Sequence, residues 1–351
     1  MNQNPSDEYK FLRTLCAKTL SYQELLIHHL PCFSMKRKRD IFEKALQVHK
    51  NTEGQLCVTR CTFEFGSIEN NNLQFKNHDI QIKTEDGYFH YAADTSSPRR
   101  SVWYLNFADP NVFAFWNSTL FAQDEIQTLE HPLLCALRDY MEQHAGEDDD
   151  TFYPCTMTEY HRHAPSPVPT PILVENVPQW ISVNTRPRLA DGTMANIYGN
   201  HFKNAPQEAV DAGLKVVEDN IKTNILAIAA FGYSSGEYSK TDIEYTLKAA
   251  LAGFAQAAKI ALNEQKDAAI HTGNWGCGAF GGNKEFMYIV QLIAASAVGI
   301  SEIIFHGIDP EILTRAENKL KMFLELNDFT FENTVNFLLR QKYFWGMSDG
   351  N

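Results

Sequence analysis

The chain has 351 residues, 44% of them hydrophobic and 21% charged, with a net charge of -12 at pH 7. Its length exceeds the usual single-domain range, so two structural parts, or one large domain with an appendage, are expected, and the composition is that of a folded protein. The excess of acid disfavours nucleic acid as a partner.

The seven cysteines are odd in number and irregularly spaced, which points to reduced thiols and a cytoplasmic setting. Cys57 and Cys61 have no second ligand pair at comparable spacing, so no metal is expected there. His161–His163 lies in a proline-rich loop and is read the same way. There is no run of about 18 uninterrupted apolar residues. The start lacks a basic region followed by an apolar one, so neither membrane insertion nor a classical secretion signal is expected.

From Tyr9 to about Lys50 the apolar residues Phe11, Leu12, Leu15, Leu25, Leu26 and Leu30 recur at helical spacing and predict a helical N-terminal extension over residues 1–55. The basic cluster Met35–Arg39 within it reads as a solvated face. QLCVTRCTFEF and DIQIK alternate as strands do, and SVWYLNFADP, Ser101–Pro110, reads as a buried strand ending in a turn. Helical spacing resumes at Leu120–Leu129 and Leu133–His144, the second behind Pro132. Gly146–Asp150 and Ala164–Pro171 bracket a loop region.

The C-terminal half alternates. Helices are expected at Gln207–Lys222, Thr241–Asn263 and Lys284–Val298, with strands at Asn224–Phe231, Ala268–His271 and Glu302–His306, then more helices. Such alternation implies right-handed crossovers and a largely parallel sheet covered on both faces, with ligands at the carboxyl ends of its strands.

At one of those ends lies HTGNWGCGAFGGNKEF, His271–Phe286. Gly276, Gly278 and Gly281 satisfy the G-x-G-x-x-G spacing, which raises an NAD-linked oxidoreductase. Only one strand follows, however, and Asp309 is a late candidate for the required acid. A P-loop fails because Gly282 follows Gly281 and no hydroxyl residue follows Lys284. The remaining readings are a diphosphate cradle of backbone N–H groups at a helix start and a tight turn whose aromatics, Trp275 and Phe280, belong to the core.

TGNWGCGAFGG resembles the phosphate-binding loop of the poly(ADP-ribose) glycohydrolases, which are macrodomain-fold enzymes. Asn106–Pro132 is similar to their catalytic segment, with Gln123, Asp124 and Glu125 matching a Gln-Glu-Glu triplet. Asn224–Phe254 resembles a later strand and helix, and Ile197–Pro206 fits the connecting region loosely. The likeness spans roughly Ser101 to Asp309. Two departures stand out. The family's glycine run before the triplet is replaced by Val112, Phe113, Ala114, Phe115 and Trp116, while Asp109 and Asp124 stand where the family has asparagine and glutamate.

The resemblance implies an α/β fold, with a macrodomain-like mixed sheet flanked by helices on both faces over residues 56–351. It implies a hydrolase that needs no cofactor or metal and releases ADP-ribose from ADP-ribosylated protein. Glu125 would be the general acid/base and Asp124 its support. ADP-ribose would be held by Asn106, Asp109, Gln123 and the loop Thr272, Gly273, Asn274, Trp275, Gly276, Cys277, Gly278, Ala279, Phe280 and Gly281. The filled-in glycine run implies single ADP-ribose units rather than polymer. Arginine is the expected linkage, by likeness to secreted bacterial members and because a guanidine leaving group tolerates acidic partners; the same likeness implies delivery into a host cell as a secreted effector as the alternative to a cytoplasmic setting. A non-catalytic ADP-ribose reader and a poly(ADP-ribose) glycohydrolase are the alternatives. Read without the family, Asn117, Ser118 or Thr119 would cap a helix whose first-turn acids merely complement its dipole.

Overall fold

The N-terminal stretch expected to be helical from Tyr9 opens as a strand, β1 (Leu12–Ser21), in the computed structural model, which describes residues 9–64, 79–91, 99–146, 152–158, 167–232 and 234–350. Its buried residues Leu12, Cys16 and Leu20 are four apart. That spacing suits one face of a strand as well as one face of a helix, and antiparallel pairing with the next strand decides the outcome. Helices follow at α1 (Tyr22–His28) and α2 (Lys36–His49). The basic cluster is not wholly solvated: Lys36 is exposed, but Lys38 is fully buried.

The chain continues through β2 (Gln55–Phe63), β3 (Gln81–Glu85), β4 (Arg100–Ala108), α3 (Gln123–Glu130) and α4 (Leu133–Gln143). Short pairs β5 (Met157–Thr158) with β6 (Val168–Pro169), and β8 (Ile181–Val183) with β9 (Leu214–Val216), flank β7 (Ile172–Pro178) and α5 (Gln207–Gly213). The helix expected to run to Lys222 therefore stops at Gly213, and β10 (Lys222–Ala229) follows. Then come α6 (Lys240–Asn263), β11 (Asp267–Thr272), α7 (Lys284–Val298), β12 (Glu302–His306), α8 (Pro310–Leu324) and α9 (Phe331–Arg340). His161–His163, Glu147–Asp150 and Ala164–Ser166 lie outside the described residues.

Eight strands form one sheet in the order β1-β2-β7-β10-β4-β11-β12-β3. From β10 to β3 the neighbours are parallel, but β1, β2, β7 and β10 are joined antiparallel, so the sheet is mixed rather than largely parallel. The antiparallel half includes β7, a central strand that sequence reading passed over.

Both faces are covered. On β4 and β10, Trp103, Leu105, Leu226 and Ile228 join a core with α6, α7, α8 and α9. Their alternates Tyr104, Ala108, Ile225 and Ala227 join a second core with α1, α2, α3 and α4. Side chains alternating across the strands thus leave the carboxyl ends of β4, β11 and β12 between two helical layers. No helix among the described residues is long and apolar enough to cross a membrane.

Candidate functional site

A cavity of about 650 Å³ opens at those carboxyl ends. One wall is the segment from β4 into α3, the other the glycine loop between β11 and α7, with Tyr88, Phe89 and Tyr198 between them.

α3 begins at Gln123 behind Ala122, whose side chain offers no cap; Asn117, Ser118 and Thr119 lie in the preceding turn and do not cap it. Gln123 fastens the helix to β4: its Nε2 donates to Leu105 O at 2.9 Å and its Oε1 accepts from Phe107 N at 2.7 Å. The two acids that follow have different partners. Asp124 Oδ1 accepts from Asn106 Nδ2 at 2.9 Å, and Glu125 Oε2 accepts from Ala122 N at 3.0 Å. Both line the cavity although each is under 10% exposed.

Burial first, then its neighbour Glu125, pushes the Asp124 carboxyl up to about 8. Burial also raises Glu125, opposed by backbone N–H groups and by the Lys38 ammonium. Two adjacent carboxyls in little water share a proton into the neutral range. Asp109, raised by burial, sits at the end of β4 and accepts from Asn111 N at 2.9 Å.

The glycine loop is held from outside the cavity. Trp275 Nε1 donates to Ile228 O at 2.9 Å, Asn274 Nδ2 donates to Gly307 O at 3.1 Å, and Tyr288 Oη donates to Asn274 Oδ1 at 2.6 Å. Gly276 has φ +70°, and a Cβ there would stand 2.6 Å from Ala230 Cβ. Within the loop Cys277 N donates to Asn274 O and Gly282 N to Gly276 O. Among the described residues, the N–H groups of Gly276, Gly278, Ala279 and Phe280 find no acceptor in the chain. These four residues line the cavity. α7 follows, capped by Asn283, whose side chain accepts from Phe286 N.

The two predicted blocks, far apart in the chain, thus meet across one cavity. Asp109, Gln123, Asp124, Glu125 and residues Thr272–Phe280 all line it. Asn106 does not: it is fully buried behind Asp124. Gly281 also falls outside the lining and packs against Met347 and Ser348. Trp275 is buried and Cys277 half-buried, and the surroundings of the Cys277 thiol push it up to about 12.

Sequence reading missed Tyr88, Phe89, Tyr198, His306, Met347 and Asp349, all of which line the cavity. No motif links them, and only the fold brings them together. At the rim His271 Nδ1 and His306 Nε2 lie 2.8 Å apart, with a Glu85 carboxylate oxygen near both. The two rings already share a hydrogen bond, and burial with the His271 neighbour pushes His306 down to about 3.

Residues 193–314 match the family described as poly(ADP-ribose) glycohydrolase, macro domain fold. The match covers β10, α6, β11, the glycine loop, α7 and β12, and leaves out the Gln123–Glu125 segment. Two crystal structures of poly(ADP-ribose) glycohydrolase from Deinococcus radiodurans align with the chain. The one in complex with ADP-ribose covers 92% of this chain and 99% of its own, at 14% identity and a TM-score of 0.38. The apo form covers 91% and 98%, at 11% identity and the same TM-score of 0.38. The matched third of the chain, which holds the glycine loop, is thus similar to the macro domain of the poly(ADP-ribose) glycohydrolases.

Proposed function

We propose that the protein is an ADP-ribosyl glycohydrolase that releases ADP-ribose from single units attached to protein, with arginine as the linkage. One observation carries the reading: four residues whose backbone N–H groups have no acceptor among the described residues line the same cavity as a carboxyl pair that keeps a proton near neutral pH. Such N–H groups at the start of a helix suit a diphosphate without needing cations. Among the described residues the lining has a single lysine, Lys284.

Cleavage at the distal ribose needs a proton for the leaving group, stabilisation of an oxocarbenium-like transition state, and a water to complete it. Glu125 gives the proton and then accepts one from the attacking water. Asp124, held by Asn106, keeps the pair singly protonated, and the diphosphate's own charge raises both carboxyls further. Asp109 orients a ribose hydroxyl, and Phe280 packs on the ring. Asp109, Asp124, Glu125 and Asp349 make the lining acidic, which suits a guanidinium-bearing acceptor.

A second reading, a reader that binds without turnover, draws on the hold that Ala122 N already has on Glu125. Incubation with protein carrying ADP-ribose on arginine separates the two. Release of free ADP-ribose by the parent, with none by a Glu125→Gln variant that still binds ADP-ribose, is the expected result. Binding of ADP-ribose with no release from arginine-linked, acidic, serine-linked or polymeric substrate would overturn the hydrolase.

A further inference from the structure

The segment Asp109–Ala122 joins β4 to the carboxyl pair and carries Val112–Trp116 instead of bare glycine. It has no regular helix or strand of its own, and Phe113 lies in the left-handed region at φ 57°. A loop of this kind has many conformations to lose, so something must hold it if Glu125 is to stand in one place. The holder lies in the N-terminal helix α2.

Lys38 is fully buried, and its ammonium donates to three backbone carbonyls of that one segment: Trp116 O at 3.1 Å, Ser118 O at 2.9 Å and Leu120 O at 3.1 Å. An ammonium has three protons, and all are used. Its position lies 5.7 Å from the centre of the Phe121 ring. A second tie lies outside it: Ser34 N donates to Asn117 Oδ1 at 2.7 Å and Ser34 Oγ to Asn117 O at 3.1 Å. The Phe33 ring meets Trp116 edge-on at 5.0 Å. Two residues beyond Leu120, Ala122 N holds the Glu125 carboxylate.

We propose that Lys38 is a positioning residue, which draws the loop Trp116–Leu120 onto the N-terminal helix and thereby sets the place of Glu125 in the cavity. The proposal rests on the hydrolase reading for its catalytic consequence and on the loop contacts for its structural one. Burying a cation without an ion-pair partner is costly, and burial lowers the Lys38 ammonium to about 8 against the opposing pull of Glu125. That cost is offset where three otherwise bare carbonyls are satisfied together. It gives α2 and the residues just before it a task at the site: their side chains fix a loop that has no regular structure of its own.

The test is Lys38→Met in the full chain, which keeps the length and apolar body but removes the ammonium. The expected kcat for ADP-ribose release falls on the order of 100-fold, the scale of a misplaced catalytic group. Affinity for ADP-ribose stays within about threefold, because the glycine loop is untouched. A kcat within twofold of the parent would overturn the proposal. Should that variant not fold, Ser34→Ala removes the hydroxyl's share of the outer tie from an exposed position while the backbone N–H bond to Asn117 remains; a lower kcat at constant affinity supports the clamp, and an unchanged kcat overturns it. Amide exchange over residues 116–122 gives a readout independent of turnover. An increase of about tenfold in Lys38→Met or Ser34→Ala supports the clamp, and unchanged protection overturns it. If the parent itself releases no ADP-ribose, the hydrolase reading fails while the exchange experiment still decides the role of Lys38.

Discussion

Asn106 Nδ2 donates to Asp124 Oδ1 at 2.9 Å beneath the cavity floor, so a fully buried amide fixes a nearly buried carboxyl whose neighbour in sequence, Glu125, is fixed instead by Ala122 N. The two acids are therefore held apart in environment as well as direction. Asp124 binds its proton more tightly in the fold than in the unfolded chain. Its favourable contribution is complete below the ordinary aspartate value of about 3.9 and is lost as pH rises towards about 8. Asp124→Asn keeps an acceptor for Asn106 and removes the charge. The variant is expected to gain in Tm over the parent as pH rises from about 5 to about 8, by on the order of a few degrees at the upper end. Thermal unfolding across that range checks it, and a difference that does not grow with pH would contradict the assignment of the buried proton.

Glu125→Gln retains an oxygen for Ala122 N and loses only the ability to give and take a proton. A fall in kcat of about 100-fold to 10,000-fold is expected, with ADP-ribose affinity nearly unchanged. In the parent, kcat is expected to decline above about pH 8 as the carboxyl pair gives up its shared proton. A pH-rate profile that stays flat into that range would remove the pair from the proton-transfer step.

How far this site was legible in sequence depended on how local its signals were. The glycine loop could be found because Gly276, Gly278 and Gly281 sit on one turn between a strand and a helix whose apolar residues declare themselves. The triplet Gln123–Glu125 was found through its order in the chain, yet the work of Gln123 in bridging Leu105 O and Phe107 N depends on β4 ending opposite it. β1 was misread because four-residue spacing fits both a helix and a strand, and only the partner β2 distinguishes them. Lys38 looked like the other cations of its cluster; what buries it is a loop about 80 residues away in sequence, beyond the reach of any local pattern. Asp349 was hidden for the same reason, since its place follows from a chain terminus folding back over the loop.

Gly276 is expected to accept no side chain. At φ +70° an alanine is strained, and its Cβ would meet Ala230 Cβ at 2.6 Å and Met287 Cε at 3.0 Å. Gly276→Ala should therefore lose about 1–3 kcal/mol of stability and bind ADP-ribose more weakly by at least tenfold. Gly278 has ordinary backbone and a freer surface, so Gly278→Val should leave Tm close to the parent's while still weakening ADP-ribose binding by covering the bare N–H groups. Calorimetry paired with thermal unfolding distinguishes the two variants. Unchanged affinity in both would rule out the loop as the diphosphate cradle.

The C-terminal segment crosses that same loop. Gly346 N donates to Gly281 O at 2.7 Å and Asp349 N to Gly278 O at 3.4 Å, while Gly350 O accepts from Asn200 Nδ2 at 2.9 Å. A Cβ on Gly278 would lie 3.4 Å from Asp349 Oδ2, so a carboxylate stands at the surface where the diphosphate is proposed to bind. Two anions at such a distance repel, but Asp349 is exposed and water and salt screen most of the effect. Asp349→Asn is accordingly expected to tighten ADP-ribose binding by only about twofold to fivefold at low salt, with the gain shrinking as ionic strength rises. Titration calorimetry at two salt concentrations measures both quantities. Weaker binding in Asp349→Asn would reverse the interpretation, making the carboxylate a ligand for a ribose hydroxyl or a cationic acceptor instead of a competitor for the N–H groups.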